Sequence, residues 1–227
     1  MEAGEQVTYR VDWQEARRDW PAWLVLLASF VASVILYPRL PDQIPIHWNL
    51  QGEVDDYAGR FWGAFGPPLL NVGIYVLLLF LPLIDPKRAN YTRFIGFYRG
   101  FRVLMVLFLA GMHGVTLYAA LGKPVDMSFL VTLGISVIFL YMGNSLGRVR
   151  HNYFVGIKTP WTLASEEVWR RTHRLGGWLF IVAGLLPWLA WPISRTAAFY
   201  ALFAGCLLAG VGSTVYSAVL YHRMKAR

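Results

Sequence analysis

Residues 61–84 read FWGAFGPPLLNVGIYVLLLFLPLI, twenty-four residues without a single charged side chain. A membrane-crossing helix needs about 20 mostly apolar residues, so this stretch is long enough to span a bilayer. Working outward from it, further apolar runs occur at Trp20 to Tyr37, Arg99 to Leu121, Val125 to Gly143, Gly177 to Pro192 and Thr196 to Tyr221. The fourth and fifth of the six are short, and the fifth contains Pro187. Trp20, Trp23, Tyr37, Trp62, Tyr141, Trp178, Trp191 and Tyr221 stand near the ends of these runs, where a ring with a polar edge suits the headgroup region. The sequence therefore predicts an all-α integral membrane protein, a bundle of about six transmembrane helices.

Composition agrees. The 227 residues are 56% hydrophobic and 15% charged, a mixture in which bilayer-length runs can recur and which argues against a soluble domain. A formal charge of +8 would suit nucleic acid, but Lys and Arg lie between the apolar runs rather than along one polar face, so no direct nucleic-acid partner is expected. The lone cysteine, Cys206, sits inside an apolar run; it can form no intrachain disulfide or thiolate zinc cluster and reads as a small packing residue. The first run, Pro21 to Tyr37, is long for a signal-peptide core and leads into Pro38 and Arg39 rather than a small-x-small cleavage site, so it is expected to remain as the first span.

The basic residues also set an orientation. Sixteen Lys and Arg fall in the N-terminal segment, the second and fourth loops and the tail, against four, Arg39, Arg60, Lys123 and Arg195, on the other side. With the positive side inward, both termini are cytoplasmic and the loop 38–60 faces out. The expected organisation is a cytoplasmic segment 1–19, two spans with the outward loop over 20–84, a basic inward loop and third span over 85–124, a core over 125–221 with an inward loop 143–177, and a basic tail 222–227. Ala201, Gly205, Ala209, Ser213 and Ser217 recur every four residues in the last span. Such a stripe lets another helix approach closely, inside the bundle or across a homodimer seam.

Two loops carry more than connection. In the outward one, Pro41 and Pro45 favour extended chain and Asn49 to Gly52 supplies turn chemistry. Ile44, Ile46, Trp48 and Tyr57 mix there with Asp42, Glu53, Asp55 and Asp56. That is a recognition surface for a cationic or amphipathic ligand, built around Pro45, His47, Trp48, Asn49 and Asp55, or a folded cap whose aromatic rings lie on the membrane interface. One His without a spaced second His or Cys does not make a metal site. In the inward loop, Ser165 is a good helix N-cap, Glu166 and Glu167 favour a first turn, and Arg174 with Gly176 and Gly177 suit an end. A short interfacial amphipathic helix from about Glu166 to Leu175 is predicted between spans four and five. Its Trp169 would dip into the headgroups while Arg170, Arg171 and Arg174 meet anionic lipid, or the same face would hold a cytoplasmic protein.

Residues 143–177 contain Gly143, Asn144, Leu146 and Gly147, then Arg148, Arg150, Asn152, Tyr153, Phe154, Gly156, Ile157, Lys158, Thr159, Pro160, Trp161, Thr162 and Leu163, then Ser165 to Trp169 and Thr172, His173, Arg174, Gly176 and Gly177. This pattern resembles the core of the SdpI family, bacterial membrane proteins named for an immunity protein. The segment with Leu40, Pro41, Ile44, Pro45, His47, Trp48, Asn49, Gly52 and Asp55 resembles the domain of unknown function that often precedes that core. The two matches cover roughly residues 38–70 and 135–212. The resemblance implies a six-span protein of the bacterial cell membrane that binds a secreted, membrane-active peptide toxin and, as in the named member, holds a cytoplasmic transcriptional repressor. It places toxin contact in the outward segment around His47, Trp48 and Asn49. Repressor or anionic-lipid contact would fall in the inward one, with Asn144, Arg148, Arg150, Asn152, Tyr153, Lys158, Thr159, Trp161, Glu166, Trp169, Arg170 and His173 as the expected residues.

Two other classes compete. Glu166, Glu167 and His173 offer acid-base groups beside a basic cluster, but capping and topology account for them and no nucleophile with a neighbouring base is evident. No catalytic residue, metal or cofactor is therefore expected. A transporter or lipid flippase would need polar groups within the spans, for which Asn71, Arg102 and His113 are the candidates. Arg102 can snorkel to the inner boundary, and a neutral His113 bonded to a neighbouring helix is the commoner arrangement.

Overall fold

A computed structural model describes residues 8–49 and 52–226. Residues 1–7 of the N-terminal segment, Leu50 and Gln51 of the expected turn and Arg227 of the tail lie outside the described residues. The elements are α1 (Trp13–Arg18), α2 (Trp20–Leu36), β1 (Gln43–Trp48), β2 (Val54–Gly59), α3 (Arg60–Phe80), α4 (Ile95–Ala120), α5 (Met127–Leu146), α6 (Pro160–Ala164), α7 (Glu166–Ala190) and α8 (Arg195–Lys225). Among the described residues, six helical stretches, Trp20–Arg39, Arg60–Ile84, Ile95–Ala120, Met127–Leu146, Glu166–Ala190 and Arg195–Lys225, are long and apolar enough to cross a membrane. Five agree with the sequence reading to within four residues at each end. The protein is a multi-pass helical membrane protein.

The fifth span differs. The span does not begin at Gly177: its helix starts where the interfacial helix was expected, with Ser165 Oγ accepting a hydrogen bond from the Val168 N–H at 3.4 Å, and it does not stop at Gly176 and Gly177. It continues to Ala190 through Pro187, so the short interfacial helix is the first part of α7 and not a separate element. Packing explains why. A Cβ at Gly143 would lie 2.7 Å from the Gly177 carbonyl oxygen, and one at Gly177 would lie 2.8 Å from that of Gly143. Of the two glycines that read as a stop signal, Gly177 instead lets the backbones of α5 and α7 touch, the close approach that membrane helices use in place of hydrophobic association, and Gly176 makes room for the Ile157 side chain.

The chain folds as two compact units. One holds residues 12–79 and 102–134, the other residues 8–11, 80–101 and 135–226. In the first, β1 and β2 pair antiparallel, with Ile44 opposite Ala58 and Pro45 opposite Tyr57. The turn closes through Asn49 N–H to Glu53 O and Gly52 N–H to Asn49 O, both at 2.9 Å, with Gly52 at φ +83°; an L side chain is strained at that φ. Ile44 is fully buried with Leu40, Ala64 and Leu117. A Cβ at Gly63 would lie 2.5 Å from that of Ile44, so the hairpin sits directly on the start of α3.

The second unit is built around Tyr9, Tyr91, Phe94, Tyr98, Leu146, Val149 and Trp169. The small-residue stripe of α8 is used inside it. Gly205, Ala209, Ser213 and Ser217 are buried, a Cβ at Gly205 would stand 2.7 Å from Ala183 Cα on α7, and Ser217 Oγ lies 3.0 Å from Thr159 Oγ1. Internal packing occupies this stripe, as the first of its two readings expects.

Candidate functional site

The two loops have opposite character. On the hairpin, β1 and β2 carry His47 and Asp55 to the surface, where His47 Nδ1 lies 2.6 Å from Asp55 Oδ1 and the side chains remain 66% and 44% exposed. Arg60 reaches back to Asp42 at 2.6 Å and to the Pro41 carbonyl at 3.3 Å. Asn49 is spent on the turn, its Oδ1 accepting from Glu53 N–H at 2.9 Å and its Nδ2 donating to Glu53 Oε2 at 3.2 Å. Ile46 and Tyr57 on the strands and Phe61 and Trp62 in the first turn of α3 are also exposed. Of the five expected contact residues, His47 and Asp55 therefore point to solvent together, Trp48 and Asn49 are half-buried, and Pro45 is buried.

Residues 143–177 form a hydrogen-bonded plug. Asn152 is wholly buried. Its Oδ1 accepts from the N–H groups of Phe154 and Val155 at 2.9 and 2.7 Å, and its Nδ2 donates to the carbonyls of Arg150 and Val155 at 2.8 and 2.9 Å. One amide side chain thus ties off four backbone groups of an irregular loop that would otherwise be buried without partners. Trp169 does not dip into headgroups. It is 2% exposed, its indole Nε1 donates to the Val149 carbonyl at 2.9 Å, and its ring stacks on His173 with centroids 3.9 Å apart. Continuation of α7 turns this residue into the core.

His173 is buried and both ring nitrogens are engaged. Nε2 accepts from the Ile157 N–H at 2.9 Å, which leaves the proton on Nδ1 to donate to the Trp169 carbonyl at 2.8 Å. An imidazole held this way is a strut, not an acid-base group. Gly156, at φ +119°, lets the chain pass against that ring. Thr159 and Thr162 cap α6 reciprocally, and Lys158 Nζ bonds the Phe154 carbonyl at 3.0 Å. Glu167 is held by Arg170 at 2.7 Å and by Arg171. Asn144, Arg148, Arg150, Tyr153, Lys158, Glu166 and Arg170 are exposed and Trp161 is half-buried, whereas Asn152, Thr159, Trp169 and His173 are interior.

Several residues central to this plug escaped the sequence reading. Asp85, 2% exposed, accepts from Tyr91 Oη at 3.0 Å, Tyr153 N–H at 2.9 Å and Lys87 N–H at 2.7 Å. Lys87 bonds His151 Nδ1 and lies 3.3 Å from Glu166 Oε1, while Asn90 donates to the His151 carbonyl at 2.7 Å. Burial and the adjacent Lys87 ammonium lower the His151 pKa; burial and the neighbouring Asp85 raise that of Tyr91. The available signal was Asp85 itself, the only acid between spans two and three in an otherwise basic loop.

The intramembrane polar groups form links within the first unit. His113 Nε2 lies 3.1 Å from the Ala64 carbonyl and 3.2 Å from Ser33 Oγ, and Asn71 Nδ2 donates to the Val106 carbonyl at 3.1 Å. Arg102 does not snorkel. It is fully buried and meets Asp19 Oδ2 at 2.6 Å and Glu15 Oε1 at 2.9 Å. Two carboxylates delivered by α1 and its C-terminal end make escape to the interface unnecessary.

Comparison with known proteins agrees with the motifs. Residues 148–217 match the SdpI/YfhL protein family model, and residues 24–72 match a domain of unknown function, DUF1648. The chain is 28% identical over 163 residues to "Immunity protein SdpI" of Bacillus subtilis (strain 168), covering 72% of this chain and 76% of that protein. It is 34% identical over 50 residues to "Uncharacterized membrane protein YbgB" of the same organism, covering 22% of this chain and 55% of that one. No solved structure matches at a significant level. The chain carries an SdpI-family region preceded by a DUF1648 region.

Proposed function

We propose that this chain is a membrane immunity protein that protects its bacterial host by binding a secreted, membrane-active peptide at the 38–60 hairpin. It does so by recognition rather than chemistry, in the cell membrane, with both termini cytoplasmic. The observation that carries the reading is the similarity to an immunity protein over 72% of the chain. The hairpin supplies suitable physics. The strands expose the His47–Asp55 pair as well as Ile46 and Tyr57, and the first turn of α3 exposes Phe61 and Trp62; aromatic residues with a fixed polar group suit an amphipathic peptide at a membrane surface. The 125–221 core would carry the signalling half. There Arg148, Arg150 and Lys158 stand exposed on a rigid plug, which favours an acidic face of a cytoplasmic repressor over direct contact with nucleic acid.

The test is survival of a sensitive bacterium, expressing this protein, against a panel of secreted membrane-active peptides. Intact protein is expected to protect against at least one, and His47→Ala with Asp55→Ala, at matched membrane level, is expected to lose that protection by roughly tenfold or more, as for a pair at the centre of a recognition surface. Full protection by the double variant removes the hairpin from the contact. No protection by the intact protein against any peptide removes the immunity reading.

A further inference from the structure

The short helix α1 is divided between two duties. Its acids turn inward. Glu15 is 6% exposed and Asp19, which ends the helix, is fully buried; both are held by the Arg102 guanidinium, and Tyr75 Oη adds a bond to Asp19 Oδ2 at 3.1 Å. Its basic residues turn outward. Arg17 and Arg18 are exposed, and among the described residues no acid pairs with either. Burial of the acids therefore leaves a purely cationic outer face on a helix whose own sequence, WQEARR, looks balanced.

Two open grooves meet on that face. One, of about 530 Å³, is lined by Gln14, Arg17, Arg18 and Trp20. The other, of about 650 Å³ and almost wholly apolar, is lined by Trp13, Ala16, Arg17, Trp20, Trp23 and Leu24. Arg17 and Trp20 belong to both, so a basic trough and an apolar trough adjoin. The apolar wall is held in place: Trp23 Nε1 donates to the Ala16 carbonyl at 3.2 Å, and its ring meets Tyr75 edge-on at 5.1 Å. Trp13 and Trp20 are exposed, as interfacial aromatic residues are at the headgroup level.

We infer that this double groove binds one anionic phospholipid, its phosphate on Arg17 and Arg18 and an acyl chain along Trp13, Trp23 and Leu24. Charge selects the headgroup and the apolar trough selects a lipid over a soluble phosphate. The site shares no residue with the hairpin or with the 143–177 plug, and it does not depend on the immunity reading.

The experiment is native mass spectrometry of the delipidated full chain titrated with phosphatidylglycerol or with phosphatidylcholine of the same acyl chains. Phosphatidylglycerol is expected to bind first and tighter. Arg17→Gln with Arg18→Gln should weaken it by roughly ten- to thirty-fold, as two near-surface cations allow, and leave phosphatidylcholine unchanged. Trp13→Ala should weaken both lipids alike. Removal of two charges elsewhere, Arg223→Gln with Lys225→Gln at the exposed end of α8, is the control and should leave the first binding event intact. Equal binding of the two lipids, an equal loss in the control, or a dimer signal that the Arg17 and Arg18 changes abolish while lipid binding persists would each overturn the inference.

Discussion

The hairpin at 43–59 and the plug at 143–177 are both irregular excursions from a helical membrane protein, both rich in polar motif residues, and they use those residues in opposite ways. In the hairpin the backbone satisfies itself through strand pairing, and the charged side chains are left over on the surface as His47–Asp55 and Arg60–Asp42 pairs. In the plug the stretch 147–159 has no helix or strand to pair its backbone, so the side chains are consumed in satisfying it. Asn152 serves four backbone groups, Asp85 three donors, His173 two backbone groups and Trp169 one. A dense motif in a membrane-protein loop can therefore encode the loop's own architecture, while a sparser one leaves chemistry free for a partner.

The sharpest way to break this contrast is Asn152→Ala. It strands buried donors and acceptors at about 1–3 kcal/mol for each group that finds no water, so a loss of about 3 kcal/mol or more is expected. The measurement is the thermal unfolding midpoint in detergent, with membrane level as a second readout. A variant as stable as the parent would mean that the plug does not depend on its hub.

A pH series sharpens the plug from another side. His151 Nδ1 accepts from the Lys87 ammonium, so the ring is neutral with its remaining proton on Nε2, and protonation would set two cations in contact. Burial and Lys87 hold its folded-state pKa below the ordinary imidazole value. The sign follows from linkage: the stability due to neutral His151 is fully present above the unfolded-state value of about 6.5 and is lost as pH falls from there toward the depressed folded-state value, at no more than about 1.4 kcal/mol per pH unit. The unfolding midpoint should fall between about pH 7.5 and pH 5.5, the range in which an imidazole titrates, and His151→Gln should flatten part of that slope. An identical slope in the variant would assign the dependence to other groups.

Much of this was legible before any coordinates. Hydropathy and aromatic edges placed five spans well because a helix in lipid must satisfy its own backbone, which makes length and apolarity decisive. Pro41, Pro45 and the Asn49 to Gly52 turn gave the extended loop, though its pairing into a hairpin depends on Ile44 packing over Gly63, which no local pattern reveals. Gly176 and Gly177 misled because glycine both ends helices and permits helix contact; only the presence of Gly143 opposite decides. Trp169 and Arg102 misled for a related reason. Each looked interfacial by type and position, and each is buried because a distant group, the Val149 carbonyl or the Glu15 and Asp19 carboxylates, was waiting for it. Asp85 and Lys87 lie about 65 to 80 residues from their partners, a separation across which side-chain pairing leaves no periodic trace.

The smallest expected effect bears on the hairpin alone. Asp55→Asn keeps an acceptor within reach of His47 Nδ1, now 2.6 Å from Asp55 Oδ1, and removes only the charge. An exposed ion pair contributes about 0–1 kcal/mol and is screened by salt, so the unfolding midpoint should stay close to that of the parent at moderate ionic strength. Protection against a cationic peptide should nevertheless weaken, because an exposed carboxylate that contributes little to the fold can still attract a charged ligand. Paired with Asn152→Ala, this separates the two kinds of loop. The plug variant is expected to lose stability first and function through it, the hairpin variant to lose function at constant stability. If Asp55→Asn lowers the midpoint by as much as Asn152→Ala does, the hairpin charges are structural after all, and the contrast drawn between the two loops fails.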